Sequence, residues 1–68
     1  MLEIKATFPN RDIQNFGKPE DLYRYMNEES YTEAQMQLSY IFDVVSVMRM
    51  TLEDVKRWID MGREEVSL

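Results

Sequence analysis

The chain has 68 residues, a formal net charge of -5, and neither cysteine nor histidine. A polypeptide of this length forms one domain at most, and its single small core stabilises it only marginally. Disulfides and zinc sites with thiolate or imidazole ligands are excluded. Oligomerisation or binding to a larger partner is then the remaining common source of extra burial.

Composition also indicates whether the protein is soluble and in which compartment it lies. Hydrophobic residues make up 44% and charged residues 31% of the sequence, a balance typical of folded proteins. Residues 1–8 alternate charged and apolar groups, unlike the apolar centre of a signal peptide, and no apolar run is long enough to span a bilayer. We therefore expect a soluble, cytoplasmic protein without a membrane partner.

The first predicted element is a strand over residues 2–8. Apolar residues alternate there with polar ones, as in a strand with one buried face, at Leu2, Ile4, Ala6 and Phe8. The strand needs a pairing partner, which could be residues 12–16 in a hairpin, the C-terminal tail, or another chain. Ile13 and Phe16 are three residues apart, so residues 11–16 fit a single helical turn equally well.

A first helix is predicted over residues 19–29. Pro19 suits the first helical position, and Glu20 and Asp21 in the first turn complement the positive end of the helix dipole. Leu22, Tyr25 and Met26 form its inward stripe.

The central prediction is a helix over residues 33–50. Thr32 and Gln35 fit a capping box, and the segment after them is rich in helix formers. Apolar residues at alternating spacings of four and three form one stripe, at Ala34, Leu38, Ile41, Val45 and Met48. The competing interpretation is a strand from Tyr40 to Met48, because this segment is rich in β-branched residues.

A third helix is predicted over residues 52–61, since Thr51 and Asp54 repeat the capping signature and Gly62 suits a C-terminal cap. Its stripe continues that of the central helix, so one helix over residues 33–61 is an alternative; residues 63–68 are expected to be a frayed tail. The predicted fold is a single α+β domain over residues 1–68. It is mostly helical, with a short N-terminal strand, alone or in a hairpin, followed by three helices of which the second is central.

The sequence predicts no enzyme. Without histidine or cysteine the usual general base and soft nucleophile are missing, and the two glycines form no phosphate-binding loop. We therefore predict no catalytic residue, cofactor or metal. Between Arg24 and Arg49 there is no basic residue, so direct nucleic-acid binding is disfavoured.

Acidic and tyrosine residues are interleaved in the middle of the chain, and tyrosine is favoured at interfaces. The predicted partner-binding residues are Glu28, Glu29, Tyr31, Glu33, Tyr40 and Asp43. We expect them to dock on a protein with a basic surface, such as a nucleic-acid enzyme. In size, acidity and lack of catalytic residues the chain is similar to the small inhibitors that phages make against host nucleic-acid enzymes, anti-CRISPR proteins among them.

Two other functions fit the sequence. The first is a structural homo-oligomer, in which the stripe from Ala34 to Met48 or the strand over residues 2–8 pairs with its own copy. The second is a helix-turn-helix DNA-binding protein, in which residues 33–50 and 52–61 form the helix pair.

Overall fold

A computed structural model describes residues 2–41 and 43–66, the last four of these by their backbone alone. The elements follow in the order β1 (Leu2–Thr7), β2 (Ile13–Phe16), α1 (Pro19–Glu28), β3 (Glu33–Tyr40), β4 (Asp43–Thr51) and α2 (Leu52–Val66). The strands form an antiparallel sheet in the order β2-β1-β3-β4. The N-terminal strand therefore pairs within its own chain, on one side with β2 and on the other with β3.

The topology consists of two consecutive strand–strand–helix units. The first unit contains β1, β2 and α1, the second contains β3, β4 and α2, and β1 pairs with β3 at the centre of the sheet. Exchanging the two units leaves the strand order unchanged, so the topology of the sheet is symmetric with respect to the two units. The units differ at their edges, because β2 has four residues and β4 has nine.

The prediction of a mostly helical fold with three helices is wrong. Residues 33–50, predicted as the central helix, form the hairpin of β3 and β4, and the alternative of one helix over residues 33–61 is wrong as well. The helix-turn-helix hypothesis requires a helix at residues 33–50. Because these residues form a hairpin, the hypothesis is wrong. A self-pairing strand at residues 2–8 is also contradicted, because both of its edges are already paired.

Alternation of period two explains why residues 33–40 form a strand. Ala34 and Met36 are buried, whereas Gln35 between them is exposed. The sequence predicts a capping box of Gln35 with Thr32, but Gln35 lies opposite Arg49 in the sheet. The same apolar residues satisfy helical and strand spacing, and pairing with β1 and β4 decides between the two.

The core lies between one face of the sheet and the two helices. The core is built from Ile4, Ala6, Phe8, Leu22, Met26, Ala34, Met36, Met50, Val55 and Ile59. The opposite face of the sheet carries polar residues from the central strands, including Lys5 and Gln35, which are exposed. Residues 33–50 therefore contribute Ala34, Met36 and Met50 to the core from two strands of the sheet and not from a central helix.

Both helices begin as their sequences predict. Pro19 opens α1 with Glu20 and Asp21 in the first turn. The capping box of α2 is confirmed: Thr51 N–H donates to Asp54 Oδ2 at 3.0 Å, and Asp54 N–H donates to Thr51 Oγ1 at 3.1 Å. Helical backbone continues to Val66, beyond the predicted end at residue 61, and the rest of the predicted tail, residues 67 and 68, lies outside the described residues. Neither described helix has the length and apolar character needed to cross a membrane.

Candidate protein-interaction surface

The β4 strand is the long free edge of the sheet. It pairs with β3 along one side, and no strand of the described part pairs with its other side. The opposite edge is formed by β2, which has only four residues. A free edge presents unpaired backbone N–H and C=O groups, so β4 can accept an additional strand over a greater length than β2.

The exposed large apolar side chains of the described part concentrate along this edge. Six of the eight belong to the β3–β4 hairpin, and a seventh, Met61, lies beside it on α2. The hairpin residues, with their exposed fractions, are Tyr40 (56%), Ile41 (58%), Val44 (55%), Val45 (61%), Val47 (59%) and Met48 (39%). We call β4 together with Tyr40 and Ile41 the β4 edge. Its apolar side chains gain burial only if another molecule covers them.

The register shows which face of the sheet each side chain occupies. Met48 lies opposite Met36, which is fully buried, so Met48 is on the face that carries the helices. Val47 lies opposite Gln37 and is on the open face. The register shifts at Val45, since Leu38 pairs with Ser46 and Ser39 pairs with Val44, and regular alternation on β4 therefore runs from Ser46 onward.

An apolar groove runs beside the β4 edge on the helix side. Its volume is about 310 Å³, and its lining includes Met48, Met50, Trp58 and Met61 together with Arg49, Asp54 and Arg57. Arg57 Nη1 donates to Asp54 Oδ1 at 3.2 Å across the exposed rim. The hydrogen bond from the Thr51 backbone, with the Thr51 hydroxyl and Arg57 assisting, holds the pKa of Asp54 below its ordinary 3.8. The rim carboxylate therefore stays ionised at neutral pH.

A second cluster joins the β1–β2 turn to α1 and to the start of β3. The carboxylate of Asp12 accepts hydrogen bonds from the Tyr25 hydroxyl and from Gln14 Nε2. The Tyr31 hydroxyl lies 3.1 Å from Asp12 Oδ2 and 3.0 Å from Asn10 Oδ1. We call these residues the Asp12 cluster, and its hydrogen bonds fix the turn against the helix.

Aromatic packing holds the tyrosines of the Asp12 cluster in place. The rings of Phe8 and Tyr31 are stacked with centroids 4.3 Å apart, and Tyr25 packs at a tilt between Phe8 and Phe16. The hydrogen bond from Tyr25 lowers the pKa of Asp12, and the same bond raises the pKa of Tyr25 to about 12. Both shifts favour the hydrogen-bonded pair of neutral phenol and ionised carboxylate.

The structure separates the predicted partner-binding residues into two groups. Glu28 and Glu29 lie at the end of α1, with Tyr31 and Glu33 a few residues further along the chain. Tyr40 is at the other end of β3, opposite Asp43 on β4. The seven-residue rise between Glu33 and Tyr40 amounts to about 23 Å of strand, so the six residues do not form one patch.

Of the predicted residues, Tyr31 is half-buried on Phe8 and is part of the Asp12 cluster, whereas Tyr40 and Asp43 belong to the β4 edge. The remaining apolar residues of the edge are absent from the predicted partner-binding set, although Ile41, Val45 and Met48 belong to the stripe that pairs with its own copy in the homo-oligomer alternative. Their pattern of β-branched residues was visible in the sequence, but it was interpreted as the buried side of a helix. No group of three acidic side chains among the described residues is placed to hold a metal ion.

Fold and surface together define a small α+β domain with two layers, an open sheet face that is polar along its central strands, and one long apolar edge that no described strand pairs with. The chain matches no protein-family model, no curated protein and no solved structure at a significant level.

Proposed function

We propose that the chain is a non-enzymatic interaction protein that binds an extended segment of protein along the β4 edge. The observation that carries the proposal is the coincidence of a nine-residue free edge with four exposed apolar side chains, at Val44, Val45, Val47 and Met48. In strand addition, main-chain hydrogen bonds supply affinity, and side chains on alternate positions supply specificity.

The edge lacks most of the devices that prevent such pairing. Monomeric proteins protect free edges with short strands, proline, lysine or inward-pointing charges. β2 is protected by its length of four residues, whereas β4 has nine residues and neither proline nor lysine. Its protection consists of the register shift at Val45 and the charges of Asp43 and Arg49. An edge so weakly protected favours a role in binding.

The tip of the hairpin supports the same proposal. Ile41 has a φ of 61°, in the left-handed region that β-branched residues strongly disfavour, and its side chain is 58% exposed. Asparagine or glycine would adopt this backbone conformation at lower cost and would expose less apolar surface. Isoleucine is thus unfavourable for the isolated fold, and contact with a partner is the physical reason we propose for it.

A lysine at the centre of the edge tests the proposal. Tagged wild-type chain and the Val47→Lys variant are used to capture proteins from a lysate of the source cell, with Ile13→Lys as the matched control. Ile13 is 50% exposed on the short edge strand β2, so its replacement adds the same charge elsewhere. We expect partners, including untagged copies of the chain, to be retained by wild type and Ile13→Lys and lost from Val47→Lys. Equal retention by all three contradicts binding at the β4 edge.

Docking on a basic partner, as in an inhibitor of a nucleic-acid enzyme, stays a prediction from the sequence. Glu28 and Glu29 are exposed at the end of α1, and Glu29 adds to the negative field around Tyr25 and Tyr31. The same capture experiment with Glu28→Lys and Glu29→Lys combined tests it. If the acidic end of α1 docks on a basic partner, wild type should bind that partner less tightly as salt is raised, and the double variant should lose it. Unchanged retention contradicts it.

A further inference from the structure

Resting on the proposed function of the β4 edge, we propose that its occupant is β4 of a second copy, paired antiparallel across a two-fold axis near Met48. The two sheets then join into a continuous eight-stranded sheet. An isologous contact of this kind needs one surface that is complementary to itself. A strand edge meets that condition, because each copy offers the same unpaired N–H and C=O groups to the other.

The register of β4 places the axis. Residues on facing strands must lie on the same side of the joined sheet, and only the regular segment from Ser46 onward satisfies this without the register shift at Val45. Pairing centred on Met48 uses residues 46–50 of both copies. It keeps Met48 and its counterpart on the helix side, and it places Val47 opposite Arg49 of the other copy on the open face.

The groove explains how the side chains on the helix side become buried when the two strands pair. A strand added at the β4 edge brings its own helix-side side chains next to the apolar lining of the groove, formed by Met48, Trp58 and Met61. A second β4 supplies Met48 at that position. Methionine adapts to irregular apolar gaps, so paired methionines can fill the two grooves of the dimer.

Charge favours a second copy over a strongly charged partner. The chain as a whole has a net charge of -5. The edge and groove, however, carry two aspartates and two arginines, namely Asp43, Asp54, Arg49 and Arg57. Two acidic molecules can therefore meet at this surface without like charges accumulating, which is not true of the acidic end of α1.

Sedimentation equilibrium of the full chain over a concentration series tests the dimer and its register together. Val47→Lys places lysine opposite Arg49 of the other copy twice per dimer, so the dissociation constant should rise at least about tenfold. Combining Val47→Lys with Arg49→Glu restores an opposite-charge pair at both positions and should restore most of the affinity. Ile13→Lys should behave as wild type. Since Val47 is 59% exposed, its replacement leaves the fold of the single copy intact, which circular dichroism checks.

A wild-type chain that remains monomeric overturns the inference, and so does a dimer that Val47→Lys leaves unchanged. Failure of the double variant to recover overturns the axis at Met48. If the wild type is monomeric but captures another protein in a manner that depends on Val47, the dimer is wrong while the proposed function stands. If neither self-association nor capture depends on Val47, both are wrong.

Discussion

Asp12 connects three segments of the chain through one carboxylate. Its partners Tyr25 and Tyr31 are 13 and 19 residues away, so local spacing gave no indication that they meet. The sequence predicts Tyr31 as an interface residue because of its type and places Tyr25 on the inward stripe of the first helix. In the structure both residues fix a turn to a helix, and their hydroxyl groups form hydrogen bonds within the chain.

Replacement of Asp12 by asparagine should lower the free energy of unfolding at neutral pH. The pKa of Asp12 is below 3.8 in the folded chain, so the stabilisation by its ionised form is complete above pH 3.8 and is lost as pH falls through the lowered value. The difference between wild type and Asp12→Asn should therefore shrink on acidification, as measured by urea denaturation at a series of pH values. Tyr25→Phe, which removes the main donor, should weaken the same dependence. A difference that stays constant from neutral to strongly acidic pH contradicts this role.

At the scale of elements, the β3–β4 hairpin is the part of the fold that the sequence did not predict. The hairpin brings Tyr40 opposite Asp43, and the sequence has neither glycine nor asparagine between them to mark a turn. Without a turn signal, residues 33–50 form one continuous apolar segment in the sequence, and the spacing of its apolar residues favours a helix. The strand alternative over residues 40–48 identified the correct backbone conformation for most of β4 but missed β3.

The other elements lie close to their predicted positions because the sequence patterns that mark them are local. The alternation over residues 2–8 corresponds to β1, and the proline with two acidic residues marks the start of α1. The capping box of α2 depends on two residues three apart. Pairing between β1 and β3 joins residues 28 to 38 positions apart, and no local pattern encodes it.

Thr51 and Thr32 provide a matched pair for the capping argument. Both precede a residue pattern typical of a helix start, but only Thr51 caps one in the structure. Thr51→Ala should destabilise the chain by about 1 kcal/mol, whereas Thr32→Ala should cost clearly less because no helix begins there. Urea denaturation of both variants at neutral pH measures the difference. An equal loss in the two variants contradicts the assignment of Thr51 as the cap.

At the scale of the whole molecule, the two strand–strand–helix units form a sheet with unequal edges. The core closes within one copy, since the helices cover one face of the sheet and the central strands carry polar side chains on the other face. What remains uncovered is an edge rather than a helix. The sequence thus indicated surplus apolar surface in residues 33–50, but it could not place that surface, because placement requires the strand order and the register.

Hydrogen exchange of the backbone amides, measured on dilute and concentrated samples of the full chain, tests the central claim most directly. Pairing at the β4 edge predicts that amides of residues 46–50 exchange more slowly in the concentrated sample, while those of β2 do not change. In the Val47→Lys variant the concentration dependence should disappear. Exchange along β4 that is identical at both concentrations, or protection that develops at β2 instead, contradicts pairing of β4 with a second copy.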